Sequence, residues 1–282
     1  MVGYLVGEPM KLSVCMMFRS DARYLKEWVC FHELMGVSKF YLYHQGTETS
    51  QDGWQEVLQP YIEQGIVDLK RWPYAFYHSE GRNTHIDANQ DCIDRLKGKD
   101  GWLAFVDSDE FLFSPRYDTV TEALSTLPES WGAVGVHWMM FGSSGKQEWE
   151  DAPVIERFTW RPHEGLHFNN WVKSIVRLND PLLATIGSEH LFRTSGGTYD
   201  EQGRLLTTEE TTPCSSLLRL NHYFTKSRKE WEERHPEDFS GEVIPRDEKR
   251  WAVQAMDVDD RTIWKFLPQL RERMKQCSIH LK

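Results

Sequence analysis

The feature that most limits what this chain can fold into is a buried-strand signature followed at once by a helix-period signature, repeated along its first hundred residues. Leu12 to Phe18 is an apolar run too short for a helix and ends at Arg19-Ser20-Asp21, so it reads as a fully buried strand. Leu25, Trp28, Val29, His32 and Met35 then recur at helical spacing, with Ser20 or Asp21 as N-cap and Gly36 at the C′ position. Phe40 to Tyr43 predicts a second strand. Trp54, Val57, Leu58 and Tyr61 mark a second helix before Gly65, and Ile66 to Leu69 a third strand. A helix from about Asn83 to Leu96 stops at Gly98, and the buried strand Trp102 to Val106 runs straight into Asp107-Ser108-Asp109-Glu110. Such alternation predicts an α/β, Rossmann-like fold. Its central sheet is largely parallel, with helices on both faces and ligands at the carboxyl ends of the strands.

Beyond the acidic string, Thr119-Val120-Thr121-Glu122 is a capping box opening a short helix, and Ala133 to Met139 is a further strand. Val154 to Trp160, Trp171 to Leu178 and Leu217 to Phe224 read as strands, and Lys226 to Arg234 as a helix. No repeat, low-complexity tract or long linker interrupts the chain, which predicts one domain. Within it, residues 11–112 are expected to form the alternating half, 113–240 a mixed half and 241–282 a C-terminal helical segment.

Composition removes several function classes. Among 282 residues, 33 basic against 43 acidic side chains give a net charge of -10, which opposes a polyanion-binding surface and makes nucleic acid an unexpected partner. The five cysteines are odd in number and widely spaced, without a C-x-x-C pair, and read as reduced core thiols. Neither a signal-like leader nor an apolar stretch of spanning length is present, so a cytoplasmic protein without a transmembrane segment is expected. Twelve tryptophans are many for this length; such rings fill cores and also stack on sugar faces.

Asp107 and Asp109 stand two residues apart, so in extended geometry they face the same way and can offer oxygens to one hard cation. That cation can bridge a nucleotide diphosphate and neutralise it as a leaving group. The bare pattern is weak: with 18 aspartates, about one such pair is expected by chance, and Asp257-Val258-Asp259 fits that accident. What distinguishes Asp107 and Asp109 is the buried strand that leads into them.

The string Trp102-Leu-Ala-Phe-Val-Asp107-Ser108-Asp109-Glu110-Phe111-Leu112 resembles the donor-site motif of nucleotide-sugar-dependent glycosyltransferases of the GT-A fold. Tyr24-Leu-Lys-Glu-Trp28 with His32 and Gly36-Val37, Trp138-Met-Met-Phe141-Gly142-Ser143-Ser144-Gly145, Lys173-Ser174-Ile175-Val176 and Asn221-His222-Tyr223-Phe224 look like glycosyltransferase family 92 and its bacterial family 2-like relatives. The order and rough spacing match over about residues 11–230. This resemblance implies an inverting GT-A enzyme using Mn2+ or Mg2+ and a nucleotide-sugar donor, most often UDP-linked, to glycosylate a glycan or lipid-linked acceptor. Ser20-Asp21 departs from the Asn-Glu usual after the first strand of these families, although Asp21 retains a carboxylate.

On this reading His222 joins Asp107 and Asp109 as a metal ligand, with His190 as runner-up. Arg19, Asp21, Arg82, Ser108, Lys173 and Lys226 are donor-site candidates, the lysines for the diphosphate. The glycine loop 142–145 offers close backbone approach to donor sugar or acceptor. An inverting transfer needs a carboxylate base for the acceptor hydroxyl. Glu148, Glu150, Asp151, Glu156 and Glu164 qualify by position, with Asp151 or Glu164 preferred as the catalytic group. Trp138, Trp149, Trp160 and Trp171 are candidate acceptor platforms.

Three other functions stay open at this level. A nucleotidyltransferase would need a glycine-rich loop after the first strand, where Phe18-Arg19-Ser20-Asp21-Ala22 stands instead. A glycosidase would use two carboxylates without metal or nucleotide. A non-catalytic carbohydrate-binding protein explains the tryptophans but not the motif series. Near the end of the chain, basic Arg261, Lys265, Arg271, Arg273, Lys275 and Lys282 interleave with Trp264, Phe266, Leu267, Leu270 and Met274. That pattern suits either packing on the domain or weak peripheral contact with an anionic membrane, and Pro268 weakens the second.

Overall fold

The computed structural model describes residues 10–19, 22–46, 53–72, 83–234 and 257–279. Its thirteen strands are β1 (Leu12–Phe18), β2 (Val37–His44), β3 (Val67–Arg71), β4 (Trp102–Phe105), β5 (Glu110–Phe113), β6 (Ala133–Met140), β7 (Trp160–Arg161), β8 (Val172–Arg177), β9 (Ala184–Thr185), β10 (Phe192–Arg193), β11 (Thr198–Tyr199), β12 (Arg219–His222) and β13 (Val258–Asp259). The helices are α1 (Ala22–Leu34), α2 (Trp54–Glu63), α3 (Thr84–Leu96), α4 (Val120–Ser125), α5 (Val154–Arg157), α6 (Arg228–Arg234) and α7 (Leu267–Ile279).

The central sheet has the order β3-β2-β1-β4-β8-β6-β12-β5, with β11 on the side of β6. Strands β3, β2, β1 and β4 pair in parallel, as the alternation requires, and β6 pairs in parallel with β12. The exceptions are β8, which runs against both β4 and β6, and β5, which runs against β12. The first half is therefore a parallel α/β sheet and the second half is mixed.

Both faces of the sheet are buried, and β1 shows how. Leu12, Val14, Met16 and Phe18 enter one core with Leu25, Trp28, Leu58 and Leu270, whereas Cys15 and Met17 enter a second with Ala88, Cys92, Ile93 and Leu96. Strand geometry sends alternate side chains to opposite faces. Helices α1, α2 and α7 thus cover one face and α3 the other. Gly36, just past α1, has φ 92°, and a Cβ there would meet Thr121 Oγ1 at 2.6 Å, so α1 can turn into β2 against α4 only with glycine. The predicted capping box forms: the Glu122 N–H donates to Thr119 Oγ1 at 3.1 Å and the Thr119 N–H to Glu122 Oε2 at 3.2 Å.

Residues 154–160 depart from expectation. The predicted strand is helix α5 followed by two residues and then β7. The cause is tertiary: buried Glu27 of α1 accepts the N–H of Val154 at 2.7 Å and of Ile155 at 3.2 Å, satisfying donors that a helix start leaves open. Burial pushes the Glu27 carboxyl up to about 7, against those two bonds and the nearby Arg157. The glycine loop also differs from its expected role. Gly142 N–H donates to Trp160 C=O at 3.0 Å, and Ser144 Oγ accepts the N–H of Thr159 and Trp160, each at 3.0 Å, so the loop is tied to the approach to β7.

The five cysteines are free, four of them buried, with Cys30 Sγ 3.3 Å from Tyr61 Oη and 3.4 Å from Cys277 Sγ. The C-terminal segment packs on the domain. Ile263, Phe266, Leu267 and Leu270 are buried, and Trp264 and Met274 rest against the same core, so α7 spends its apolar side on α1 and its neighbours rather than presenting it outward. Among the described residues no helix is long and apolar enough to cross a membrane.

Helices α1, α5 and α6 meet at one buried carboxylate. Glu230 accepts from Tyr24 Oη at 2.7 Å, from Arg157 Nη1 and Nη2 at 2.9 and 3.1 Å, and from the Ser227 N–H at 3.0 Å. Burial opposes the charge, but these donors outweigh it and lower the carboxyl from 4.5 to about 2. A folded pKa below the unfolded one means the stabilisation is complete above about pH 4.5 and is lost as the pH falls toward 2. Glu230→Gln should therefore destabilise the fold by about 3–5 kcal/mol at pH 7, because Arg157 is left uncompensated in the interior. Denaturant titrations should show this difference shrinking between about pH 4.5 and pH 2; a constant difference would remove the ion pair as its source.

Candidate active site

The carboxyl ends of β1, β2 and β4 open on one edge of the sheet, and reversed strand directions bring other residues to the same edge. Because β8 is antiparallel, its beginning lies beside the ends of β4 and β6, and Lys173 pairs in register with Val136. Because β5 is antiparallel to β12, its first residue, Glu110, pairs with the last residue of β12, His222. The edge encloses a cleft of about 420 Å3, lined by Arg19, Gln45, His85, Asp107, Ser108, Asp109, Trp138, Lys173, Glu189, His190, His222 and Arg234, with Met17, Phe18 and Phe224 as apolar walls. A topological edge of this kind is where α/β sheets bind ligands.

The acidic turn is held from below. The Trp28 indole N–H donates to the carbonyls of both Asp107 and Glu110, at 3.0 Å each, and Glu110 Oε2 accepts the Asp107 N–H at 2.8 Å. One turn along α1, His32 Nδ1 donates to Trp28 C=O at 2.9 Å while its Nε2 accepts the Leu112 N–H at 3.2 Å. Burial pushes the His32 imidazole down to about 4, so it is neutral, as that pair of bonds requires. The Trp28 and His32 pair in the sequence is thus the clamp on the acidic turn.

Charge is dense at the turn. Lys173 Nζ, almost fully buried, donates to Asp107 Oδ2 at 2.8 Å. Burial disfavours each charged form, yet Lys173 and His85 hold the Asp107 carboxyl below its ordinary range, and Asp107 with Glu110 raises the Lys173 ammonium. Asp109 lies between His222 Nε2, 3.4 Å from its Oδ1, and Arg234, both of whose terminal nitrogens are 3.3 Å from its Oδ2. Against burial, His222, Lys226 and Arg234 lower its pKa well below the usual carboxylate range. The His222 imidazole is raised, because Asp109 outweighs its desolvation. Glu110 is fully buried and pushed up to about 7.

The donor types suit a hard dication: two aspartates and an imidazole, with His222 Nδ1 and Glu110 Oε1 both buried without a hydrogen-bond partner. Among the described residues no three His, Cys, Asp or Glu side chains are drawn together closely enough to hold an ion as they stand. Lys173 and Arg234 already occupy one oxygen of each aspartate, so an ion entering here would share Asp107 and Asp109 with two cations.

Of the residues expected from sequence, Arg19, Asp107, Ser108, Asp109, Lys173 and His222 line this cleft, as does the runner-up His190. Asp21 and Arg82 lie outside the described residues. Lys226 is not among the residues lining the cleft: it is buried, with Nζ 4.3 Å from the centre of the Tyr24 ring, and its charge helps lower the Asp109 pKa. Asp151 and Glu164 are also elsewhere. Asp151 borders a separate cavity with Trp149, Arg23 and Arg271, and Glu164 is exposed beside Arg161 at 3.4 Å. Among the tryptophans, Trp138 faces the cleft, stacked on Trp171 at 6.2 Å, whereas Trp149 is exposed at that other cavity. Asp257 and Asp259 serve the chain locally: Asp257 accepts the His163 N–H at 3.1 Å, and Asp259 pairs with Arg261 at 2.8 Å.

Gln45, His85, Glu189 and Arg234 were not foreseen. Gln45 and His85 had a positional signal, since one follows the second strand and the other opens the third helix. Glu189 and Arg234 had none, because their place depends on how the second half of the chain folds back.

The family model described as glycosyltransferase family 92 matches residues 10–256. A glycosyltransferase family 92 protein of Oryza sativa subsp. japonica is 28% identical over 218 residues, covering 75% of this chain and 33% of that relative. A galactan beta-1,4-galactosyltransferase of Arabidopsis thaliana is 30% identical over 112 residues, 37% of this chain and 21% of the relative. The chain thus spans about a third or less of the length of these curated relatives. Among solved structures, a mannosyltransferase from Pyrobaculum calidifontis in complex with GDP-Man and Mn2+ aligns with TM-score 0.32 and 14% identity, over 44% of this chain and 34% of that one.

Trp28→Phe keeps an aromatic ring and removes the one donor that serves both Asp107 and Glu110. The Asp107 carbonyl keeps the Glu110 N–H at 3.1 Å, but the Glu110 carbonyl loses its indole donor, and we expect a loss of about 1–3 kcal/mol in unfolding free energy, the usual consequence of an unsatisfied buried acceptor. Denaturant melts would check it, and a variant as stable as the parent would show that the turn is held by other contacts.

Proposed function

The chain belongs to glycosyltransferase family 92, and from that premise we propose that it is an inverting, metal-dependent glycosyltransferase. It would carry a sugar from a UDP-sugar to a hydroxyl of a glycan or glycolipid acceptor. The observation that carries the reading is the cleft itself. Asp107 and Asp109 face His222, Lys173, Arg19 and Arg234 at the carboxyl edge of parallel strands, a juxtaposition of acids and cations suited to a metal-chelated diphosphate.

Asp107, Asp109 and His222 would hold Mn2+ or Mg2+, whose contribution is to neutralise the departing diphosphate. The protein's own cations divide the remaining work. Lys173, on Asp107, and Arg234, on Asp109, place positive charge beside the ligand carboxylates. Arg19, at the end of β1, reaches the same space from the strand whose end begins the nucleotide side of such sheets. Trp138 offers an aromatic wall for a sugar ring. The names of the Arabidopsis relatives direct the first donor to test, UDP-galactose.

Calorimetry with UDP and Mn2+ should show binding that disappears with chelator. Asp107→Ala and Asp109→Ala should each weaken it by at least the roughly 10–100-fold that losing even an outer-shell partner costs. Asp257→Ala should leave it unchanged; the reverse pattern would assign the metal to the wrong pair. A panel of nucleotide-sugars assayed for slow hydrolysis with Mn2+, followed by NMR of the released sugar, tests inversion directly, since retained anomeric configuration would reject it.

His222→Ala should weaken Mn2+-dependent UDP binding more than His190→Ala does. His190 is committed to the wall, its Nδ1 donating to Val172 C=O at 2.8 Å and its ring edge-on to Trp138 and Trp171. A larger loss from His190→Ala would exchange the two assignments.

A further inference from the structure

We propose that Glu189 is the base that takes the proton from the acceptor hydroxyl, an inference that rests on the transferase reading above and deepens it. Apart from Asp107 and Asp109, Glu189 is the one carboxylate lining the cleft among the described residues. The two aspartates already serve Lys173 and Arg234 through their Oδ2 atoms. Glu110 is fully buried below the turn, and Asp151 and Glu164 lie outside the cleft. Glu189 keeps a quarter of its side chain open.

Its position is fixed from both ends. On the main chain, Ser188 Oγ accepts the N–H of His190 at 2.9 Å and of Leu191 at 3.1 Å, and Ser174 Oγ donates to the His190 carbonyl at 2.6 Å. On the side chain, Asn83 Nδ2 donates to Glu189 Oε1 at 2.6 Å, while Asn83 Oδ1 caps α3 by accepting the His85 N–H at 2.9 Å. The cap fixes which way the Asn83 amide points, so its NH2 faces the carboxylate. Glu189 Oε2 lies 3.6 Å from His85 Nδ1, and Trp138 and His190 form the adjoining aromatic wall. Strand β8 thus supplies two neighbouring functions: Lys173 to the donor side through Asp107, and Ser174 to the base through the His190 carbonyl.

The step balances without a further reactant. The acceptor O–H breaks, its proton moves to a Glu189 oxygen, and the freed electron pair forms the bond to the anomeric carbon. The bond from that carbon to the phosphate oxygen breaks, and its electrons leave with the nucleoside diphosphate. Water can take the place of the acceptor, so donor hydrolysis reports on the same group.

Glu189 also anchors the start of α3, and the test must separate that role from catalysis. Glu189→Gln keeps an oxygen for Asn83 Nδ2 and removes the basicity. We expect a thermal midpoint and a UDP–Mn2+ affinity like those of the wild type, with UDP-galactose hydrolysis down about 10²–10⁴-fold, the usual contribution of a general base. Formate should restore part of the turnover to Glu189→Ala. Hydrolysis by Glu189→Gln within tenfold of wild type, or a loss confined to stability and UDP affinity, would overturn the proposal and leave Glu189 as an anchor. A crystal structure with UDP and Mn2+ is the second readout where hydrolysis is too slow. The Glu189 carboxylate should face the space beyond the β-phosphate beside Trp138, and a carboxylate turned away from it would equally overturn the assignment. Failure of the wild type to bind UDP with Mn2+ would instead remove the transferase reading beneath it.

Discussion

Three carboxyl groups, Asp107, Asp109 and Glu110, are crowded just past the end of a buried strand, and the surrounding structure can be read as what keeps that crowding tolerable. Carboxylates this close repel one another and resist desolvation. The chain answers with cations brought from two directions, Lys173 from a reversed strand and Arg234 from α6, and with the His222 imidazole from β12, whose proton affinity Asp109 raises. Neutral donors complete the restraint, above all the Trp28 indole spanning the carbonyls of Asp107 and Glu110. Each support has its own foundation. Arg234 can reach Asp109 because Glu230, clasped by Tyr24 and Arg157, fixes the start of α6, and Trp28 is positioned by an α1 that is packed under α7.

Much of the architecture was legible because it depends on local pattern. The strands of the parallel half, the helix that Asn83 opens and the Thr119 capping box all follow from apolar period and cap chemistry, which a linear sequence displays directly. The failure at residues 154–160 is of another kind. Val154 and Ile155 have the branched side chains of a strand, but their N–H groups are taken by Glu27, more than a hundred residues earlier. No local reading contains that partner. Likewise the directions of β5 and β8 are properties of the closed sheet, and they determine which ends share an edge.

The site divides along the same line. Asp107 and Asp109 were marked by the strand before them, and His222 and Lys173 by their place in family-like strings. The preference for Asp151 or Glu164 as the base followed sequence distance from the glycine loop, but Gly142 and Ser144 are tied to the approach to β7, and Asp151 and Glu164 lie away from the cleft. Glu189 comes from a short loop whose only advertisement is the Ser188 and His190 on either side of it. The signal for it lies in Asn83, whose amide oxygen caps a helix and whose amide NH2 is thereby turned to donate to Glu189.

Strand β8 carries the fold's charge assignment in its phase. Lys173 and Ile175 point one way, with Ile175 in the core under α1, while Val172, Ser174 and Val176 point the other, with Val176 in the core against α3. The pleat has a period of two, so gaining or losing a single residue in the turn His167–Asn170 that feeds β8 would exchange the two sets wholesale. Valine or serine would then stand where the ammonium meets Asp107, and the lysine would be driven into an apolar layer. The length of this turn is therefore as much a determinant of the cleft as any side chain in it: beside the buried Asn169, whose amide ties the Met140 N–H to the carbonyls of His163 and Glu164, the count of residues is what sets the phase of β8.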